Sequence, residues 1–301
     1  LPLQLAGKLN PFVKREIDIV IISDVHLGTY GCHAKELLNY LKSIQPKTLI
    51  LNGDFIDMWQ FRKKYFPKEH LQVIQRILKM SGQGTKVYYI TGNHDDALRR
   101  YSDFSAGNIC LRDKVVLHLN GKSYWIFHGD IFDLFIKYSP WMARMGGKGY
   151  DMLIRVNRFI NLVRVAMGKS RMSFAKKVKH RVKEAVKFIS DFEDTAINLA
   201  AEQGYDYVVC GHIHRPQMRV VETPKKQVTY LNSGDWVENL TALEYHWGQW
   251  TLYEYDETDY EYISPRLKVD GAEPEPEETM TPVNAQELFQ QIVQQARSGS
   301  R

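Results

Sequence analysis

A layered α/β fold is what this 301-residue sequence predicts, and three observations carry the prediction. Short apolar runs recur along the chain, stretches with helical spacing lie between them, and a polar segment follows almost every run. Ile17 to Ile22 is nearly all β-branched, which suits a strand buried on both faces. Thr48 to Leu51, Lys86 to Ile90, Tyr124 to Phe127 and Tyr207 to Cys210 are similarly short and apolar. Leu37, Leu38, Leu41 and Ile44, then Leu71, Ile74, Ile77 and Leu78, recur at the spacing of a helix docked on a sheet.

The polar segments that close these strands hold the chemistry. They are Asp24-Val25-His26, Gly53-Asp54-Phe55-Ile56-Asp57, Gly92-Asn93-His94-Asp95, His128-Gly129-Asp130 and Gly211-His212-Ile213-His214. Each supplies oxygen or imidazole ligands where a strand ends and a loop opens, the place where α/β sheets gather their active-site groups. Any one alone reads as a polar strand end or a turn. Five in series read as a two-metal site. A carboxylate has two oxygens, so Asp54 is the candidate to bridge two divalent cations about 3.5–4 Å apart. Asp24, His26 and His214 can complete one ion, and Asn93, His128 and His212 the other. Mixed nitrogen and oxygen shells suit Mn²⁺, Fe²⁺ or Zn²⁺ better than Ca²⁺, with manganese the expectation.

The ordered set D-x-H, G-D-x-x-D, G-N-H-D, H-G-D and G-H-x-H resembles the calcineurin-like metallophosphoesterase superfamily over roughly residues 17–255. The resemblance implies an αββα sandwich and assigns Asp24, His26, Asp54, Asn93, His128, His212 and His214 as metal ligands. It also pairs His94 with Asp57, the histidine stabilising developing charge or protonating the departing oxygen, a role worth about 10²–10⁴ in rate. The implied reaction is hydrolysis of a phosphoester or phosphoanhydride.

The layout of Asp24-Val25-His26-Leu27-Gly28, Gly53 to Trp59, Gly211 to Pro216 and a late Gly234-Asp235-Trp236 is similar to the UDP-2,3-diacylglucosamine diphosphatase group of lipid A synthesis. Its members release UMP and an acylated sugar phosphate at the membrane surface, under an inserted helical lid. The chain departs from the best-characterised branch of that group at His94, where that branch has arginine. A fixed cation suits phosphate binding, whereas a histidine transfers a proton and suits a poorer leaving group. Another lipid, nucleotide or soluble phosphodiester or phosphomonoester is therefore the alternative substrate. A membrane-associated binding protein that keeps the metal fold as a scaffold is the alternative of another class.

Charge is polarised along the chain. The net charge is +5, yet residues 131–190 hold 14 Lys and Arg against three acids, which leaves the remainder near −6. This stretch is the expected lid. Leu153, Val156, Ile160, Val163 and Met167 share one helical stripe, and Arg155, Arg158 and Arg164 fall largely elsewhere on the same helix. A second basic run extends from Lys169 to Lys187. Such helices suit an anionic membrane surface or a lipid-linked substrate, and a core-packed helix pair with a solvated basic face is the alternative. No nucleic-acid reading motif accompanies them.

Other features carry no site. Gly146-Gly147-Lys148-Gly149 lacks the spacing and the Ser or Thr of a phosphate loop. Cys32, Cys110 and Cys210 have no ligand spacing and read as free thiols of a reducing compartment. No apolar run approaches the roughly 20 residues needed to span a bilayer. The expected location is the cytoplasm, peripheral to the inner face of the membrane. The domain limits are an N-terminal extension (1–16), the phosphoesterase domain (17–255), and an acidic, proline-punctuated, poorly ordered tail (256–301).

Overall fold

In the computed structural model, which describes residues 14–59, 65–133 and 178–263 apart from the side chains of 178–187 and 261–263, β1 (Arg15–Ile22) lies inside a seven-stranded sheet. Parallel to it run β2 (Ile44–Asn52), β3 (Lys86–Ile90) and β5 (Ile109–Arg112). β4 (Ser105–Ala106), β11 (Thr241–His246) and β12 (Gln249–Glu254) complete the order β12-β11-β1-β2-β3-β5-β4. The second sheet has the order β6-β7-β8-β10-β9. Its strands are β6 (Val115–Leu119), β7 (Lys122–Ile126), β8 (Tyr207–Cys210), β9 (Gln217–Glu222) and β10 (Gln227–Asn232).

The pleat of β1 explains its continuous apolar run. Ile19 and Ile21 pack with Ile126, Val209 and Leu231 of the second sheet. Val20 and Ile22 turn the other way, towards α1 (Ala34–Ser43) and α2 (Lys68–Gly82). A strand buried on both faces needs apolar residues at every position. On the far side of the second sheet, Trp125, Phe127, Val208 and Tyr230 pack against Phe192, Ala196 and Ala200 of α3 (Val178–Glu202). The layers are therefore helix, sheet, sheet, helix, as expected.

Several details differ from the sequence reading. β1 begins at Arg15, whose guanidinium forms a two-pronged pair with Glu244 of β11. Ile44, expected in the stripe of α1, is instead the extended residue that ends that helix and opens β2. The buried face of α2 is His70, Val73, Ile77 and Met80, while Leu78 is 45% exposed. The polar His70 misled the pattern, for it is buried with its Nδ1 accepting from the Gly28 amide at 2.8 Å. Strands such as β9 (QMRVVE) and β12 (QWTLYE) alternate polar and apolar residues and were not anticipated.

The acidic stretch expected as a tail from residue 256 opens with a 3₁₀ helix, Glu257–Ile263. Its Tyr260 is buried and shares hydrogen bonds with Tyr253 and Ser43. The chain divides into units Leu1–Tyr262 and Ile263–Arg301. Of the expected lid, only 131–133 and 178–190 are described; Leu153, Arg155, Val156, Arg158, Ile160, Arg164 and the 146–149 glycine run lie outside the described residues, as does the chain beyond 263. No described helix is long and apolar enough to cross a membrane.

Candidate metal centre

The C-terminal ends of β1, β2 and β3 in one sheet, and of β7 and β8 in the other, deliver the five polar segments. Backbone hydrogen bonds knit the first two loops together, Asp24 N–H to Gly53 O at 3.1 Å and His26 N–H to Asp54 O at 2.9 Å. Asp24, His26, Asp54, His212 and His214 all have positive φ, between 51° and 68°. The backbone is thus coiled tightly at each ligand pair, in a region that L-residues seldom occupy.

Three clusters result, each with its ligand atoms within 4.8 Å of one another: Asp24, His26 and His214; His26, Asp54 and His94; and Asp54, His128 and His212. Asp54 is common to two of them. Its Oδ2 lies 3.3 Å from His128 Nε2, 3.9 Å from His94 Nε2 and 4.0 Å from His26 Nε2. Its Oδ1 accepts the His94 amide at 2.7 Å. Asp24 Oδ1 is 3.2 Å from His214 Nε2, and its Oδ2 accepts the His212 amide at 2.9 Å. Gly92 leaves room for this crowding, since a Cβ there would overlap Asp54 Oδ1 and press on the His128 ring.

Whether these residues fit divalent cations can be tested on their unspent atoms. Asp24 Oδ1, Asn93 Oδ1 and His128 Nε2 are buried and make no hydrogen bond. Leaving such atoms unpaired costs roughly 1–3 kcal/mol each, and all three belong to the expected ligand set. His128 donates from Nδ1 to the Asn52 carbonyl at 2.8 Å, which leaves Nε2 as the atom it would offer to a cation. The donor set fits.

The electrostatics agree. Burial raises the carboxyls of Asp24 and Asp54, but His128 and the other imidazoles around them outweigh it and hold both below the usual carboxylate range. Burial opposes charge on His128, yet Asp54 and Asp24 push it well above the ordinary histidine range, and a cation at Nε2 would take the place of the proton those two carboxylates hold there. Burial lowers His26 and keeps it neutral, the form that ligates metal. Nearby Asp95, pushed up to about 6 by burial and by the charge of Asp54, accepts from the Gly92 and Phe55 amides and the Tyr89 hydroxyl.

His94 stands beside this cluster. Its Nδ1 meets Asp57 Oδ2 at 2.9 Å, and the indole of Trp59 covers its ring at 4.0 Å between centroids. All nine expected metal and catalytic residues thus gather at one end of the two sheets. Three supporting groups were missed. Asn239 donates to the His214 carbonyl while Asp235 anchors it. Arg99, 5% exposed, joins Thr91 to Asp130. Asp133 meets His212 Nε2 at 2.7 Å. Only the Gly234-Asp235-Trp236 string and the position of Asp133 three residues after the H-G-D motif hinted at any of them.

This fold and these clusters define a metal-dependent phosphoester hydrolase. Residues 17–216 match the model of the calcineurin-like phosphoesterase family, and the chain belongs to that family. A relative from Aliivibrio fischeri (strain MJ11), named UDP-2,3-diacylglucosamine hydrolase, is 26% identical over 75% of this chain and 94% of its own. Another of that name, from Stenotrophomonas maltophilia (strain K279a), is 24% identical over 77% and 96%. A solved structure described as a novel archaeal phosphodiesterase aligns with 78% of this chain and 98% of its own, at 13% identity and a TM-score of 0.40.

Proposed function

We propose that this chain hydrolyses the diphosphate of UDP-2,3-diacylglucosamine to UMP and 2,3-diacylglucosamine 1-phosphate, at a membrane surface and with two manganese ions. The observation that carries the reaction class is Asp54, whose single carboxylate faces three imidazole nitrogens within 4.0 Å. The relatives' printed names support the substrate. Asp24, His26 and His214 would hold one ion, Asn93, His128 and His212 the other, and Asp54 both. Bound there, divalent cations supply Lewis acidity towards the phosphoryl oxygens and make water a nucleophile near neutral pH.

The chain's own groups do the rest. Asp57 orients His94 through Nδ1, which leaves Nε2 to hand a proton to the oxygen that departs as the phosphorus–oxygen bond breaks. Burial of Asp24 and Asp54 keeps bulk water from screening the site. The basic amphipathic stretch around Leu153, Val156 and Ile160, with Arg155, Arg158 and Arg164, would take the acyl chains and meet anionic headgroups. The His94–Asp57 pair favours a second reading, a lipid or nucleotide phosphodiester whose alkoxide leaving group needs that proton.

Phosphorus NMR of the manganese-loaded chain with UDP-2,3-diacylglucosamine tests the proposal. UMP and the sugar 1-phosphate are expected together, and neither with Asp54→Ala. An enzyme that cleaves a chromogenic phosphodiester but leaves this substrate intact supports the second reading. Replacing Leu153, Val156 and Ile160 with glutamine should raise KM for the lipid substrate more than for the soluble ester; equal changes count against a lipid-gripping lid.

A further inference from the structure

Two described stretches on either side of residues 134–177, the turn 131–133 and α3, supply side chains that meet one imidazole, that of His212. On the outgoing side, residues 131–133 form a helical turn after the H-G-D loop, with the Phe132 amide bonded to Gly129 O and the Asp133 amide to Asp130 O. That turn aims the Asp133 carboxylate at His212 Nε2, 2.7 Å away. On the returning side, Phe192 of α3 lies tilted against His212 at 6.1 Å between centroids and edge-on to Phe132 at 5.4 Å. Gly129 permits the approach: with φ +119°, it lies where a Cβ would stand 2.5 Å from Phe192 Cζ and 3.5 Å from His212 Cβ.

We propose that Asp133 is a positioning residue for the metal centre, holding His212 by a carboxylate–imidazole hydrogen bond so that the ring's other nitrogen is aimed at one cation site. An imidazole has two nitrogens, and a carboxylate on Nε2 fixes the proton there and leaves the lone pair on Nδ1. His212 shares a cluster with Asp54 and His128, so Nδ1 is the nitrogen it would offer to a cation, and a carboxylate behind it raises the basicity of the ring. His128 is held in the complementary way, its Nδ1 tied to the Asn52 carbonyl. Removing such a partner typically costs 10–100-fold in metal affinity. The proposal rests on the metal-centre reading above.

The test is calorimetric titration of Mn²⁺ into the chelator-treated full chain, for wild type, Asp133→Ala and Asp133→Asn. Wild type should take up two ions. Asp133→Ala should keep one of them at wild-type affinity and bind the other about 10–100-fold more weakly. Asp133→Asn should recover part of the loss, because an amide oxygen still accepts from Nε2–H. Melting of the metal-free proteins should be unchanged, since the Asp133 side chain is 44% exposed; if alanine lowers it, the asparagine variant decides. Two tight sites in both variants overturn this proposal alone. A wild-type chain that binds no Mn²⁺ overturns the metal-centre reading and this proposal with it.

Discussion

Five residues that the site needs, Asp24, His26, Asp54, His212 and His214, are held in the left-handed region where a β-substituted residue is strained by about 1–2 kcal/mol. Glycine would suit the backbone at each place, so side chains there fit the proposed ligand role. Replacing His26 by glycine should therefore leave the metal-free fold as stable or more stable, read as its denaturant midpoint, while removing turnover. His94 makes a sharper test. If it protonates a leaving oxygen, His94→Ala should lower kcat by about 10²–10⁴ on a substrate with an alkyl leaving group, and far less on a p-nitrophenyl ester, whose phenolate departs unaided. Equal losses on both would assign His94 to binding instead. The seven expected ligands were legible as types and spacings; the left-handed backbone of five of them was not, because nothing in Asp-Val-His distinguishes it from a strand end.

Loops and helices are joined by buried charge in a way no periodicity announces. Arg99 reaches the Thr91 carbonyl, which precedes Gly92 and Asn93, and both oxygens of Asp130, which follows His128. One guanidinium thus ties together two ligand-bearing loops, one from each sheet. Arg99→Met should destabilise the fold by about 3–5 kcal/mol, since it leaves the Asp130 carboxylate buried without its cation; Arg99→Met with Asp130→Leu should recover much of that in urea melts. The strands β1, β2, β3, β7 and β8 were readable because each carries a short apolar run, buried on both faces along most of β1 and in the C-terminal parts of β2, β7 and β8. Those with one wet face, such as β9, were not, and α2 was misregistered because its buried face includes His70, paired with the Gly28 amide.

Across the whole molecule, stability should fall in acid for a stated reason. Asp206, at the start of β8, accepts from the Ser123 amide and hydroxyl and from Lys226. Burial works to raise its pKa, but these partners overcome it and bring the carboxyl to about 2. A carboxyl whose pKa is depressed on folding adds stability that is fully present above the unfolded value near 4, and that is lost as pH falls through about 2. Wild type should lose more of its urea midpoint than Asp206→Asn between pH 6 and pH 2.5; identical slopes would show that the pair contributes nothing. The layer order was legible from the alternation of strands and helices. The pairing of β1 with β11 was not, because the partner strand lies far along the chain and local pattern carries no trace of it.

That pairing sets an order on synthesis. Val20 faces Leu49 on one side and Glu244 on the other, so a chain leaving the ribosome exposes one bare edge of its first strand until the eleventh is made. Asp24, His26, Asp54 and Asn93 emerge early, while His212 and His214 come late. A half-made chain would therefore hold only part of the proposed ligand set and would grip a cation weakly. On the proposed site, ion capture would follow translation instead of guiding it, and the interval before the β11–β12 hairpin arrives is the one in which the bare edge of β1 is exposed to aggregation.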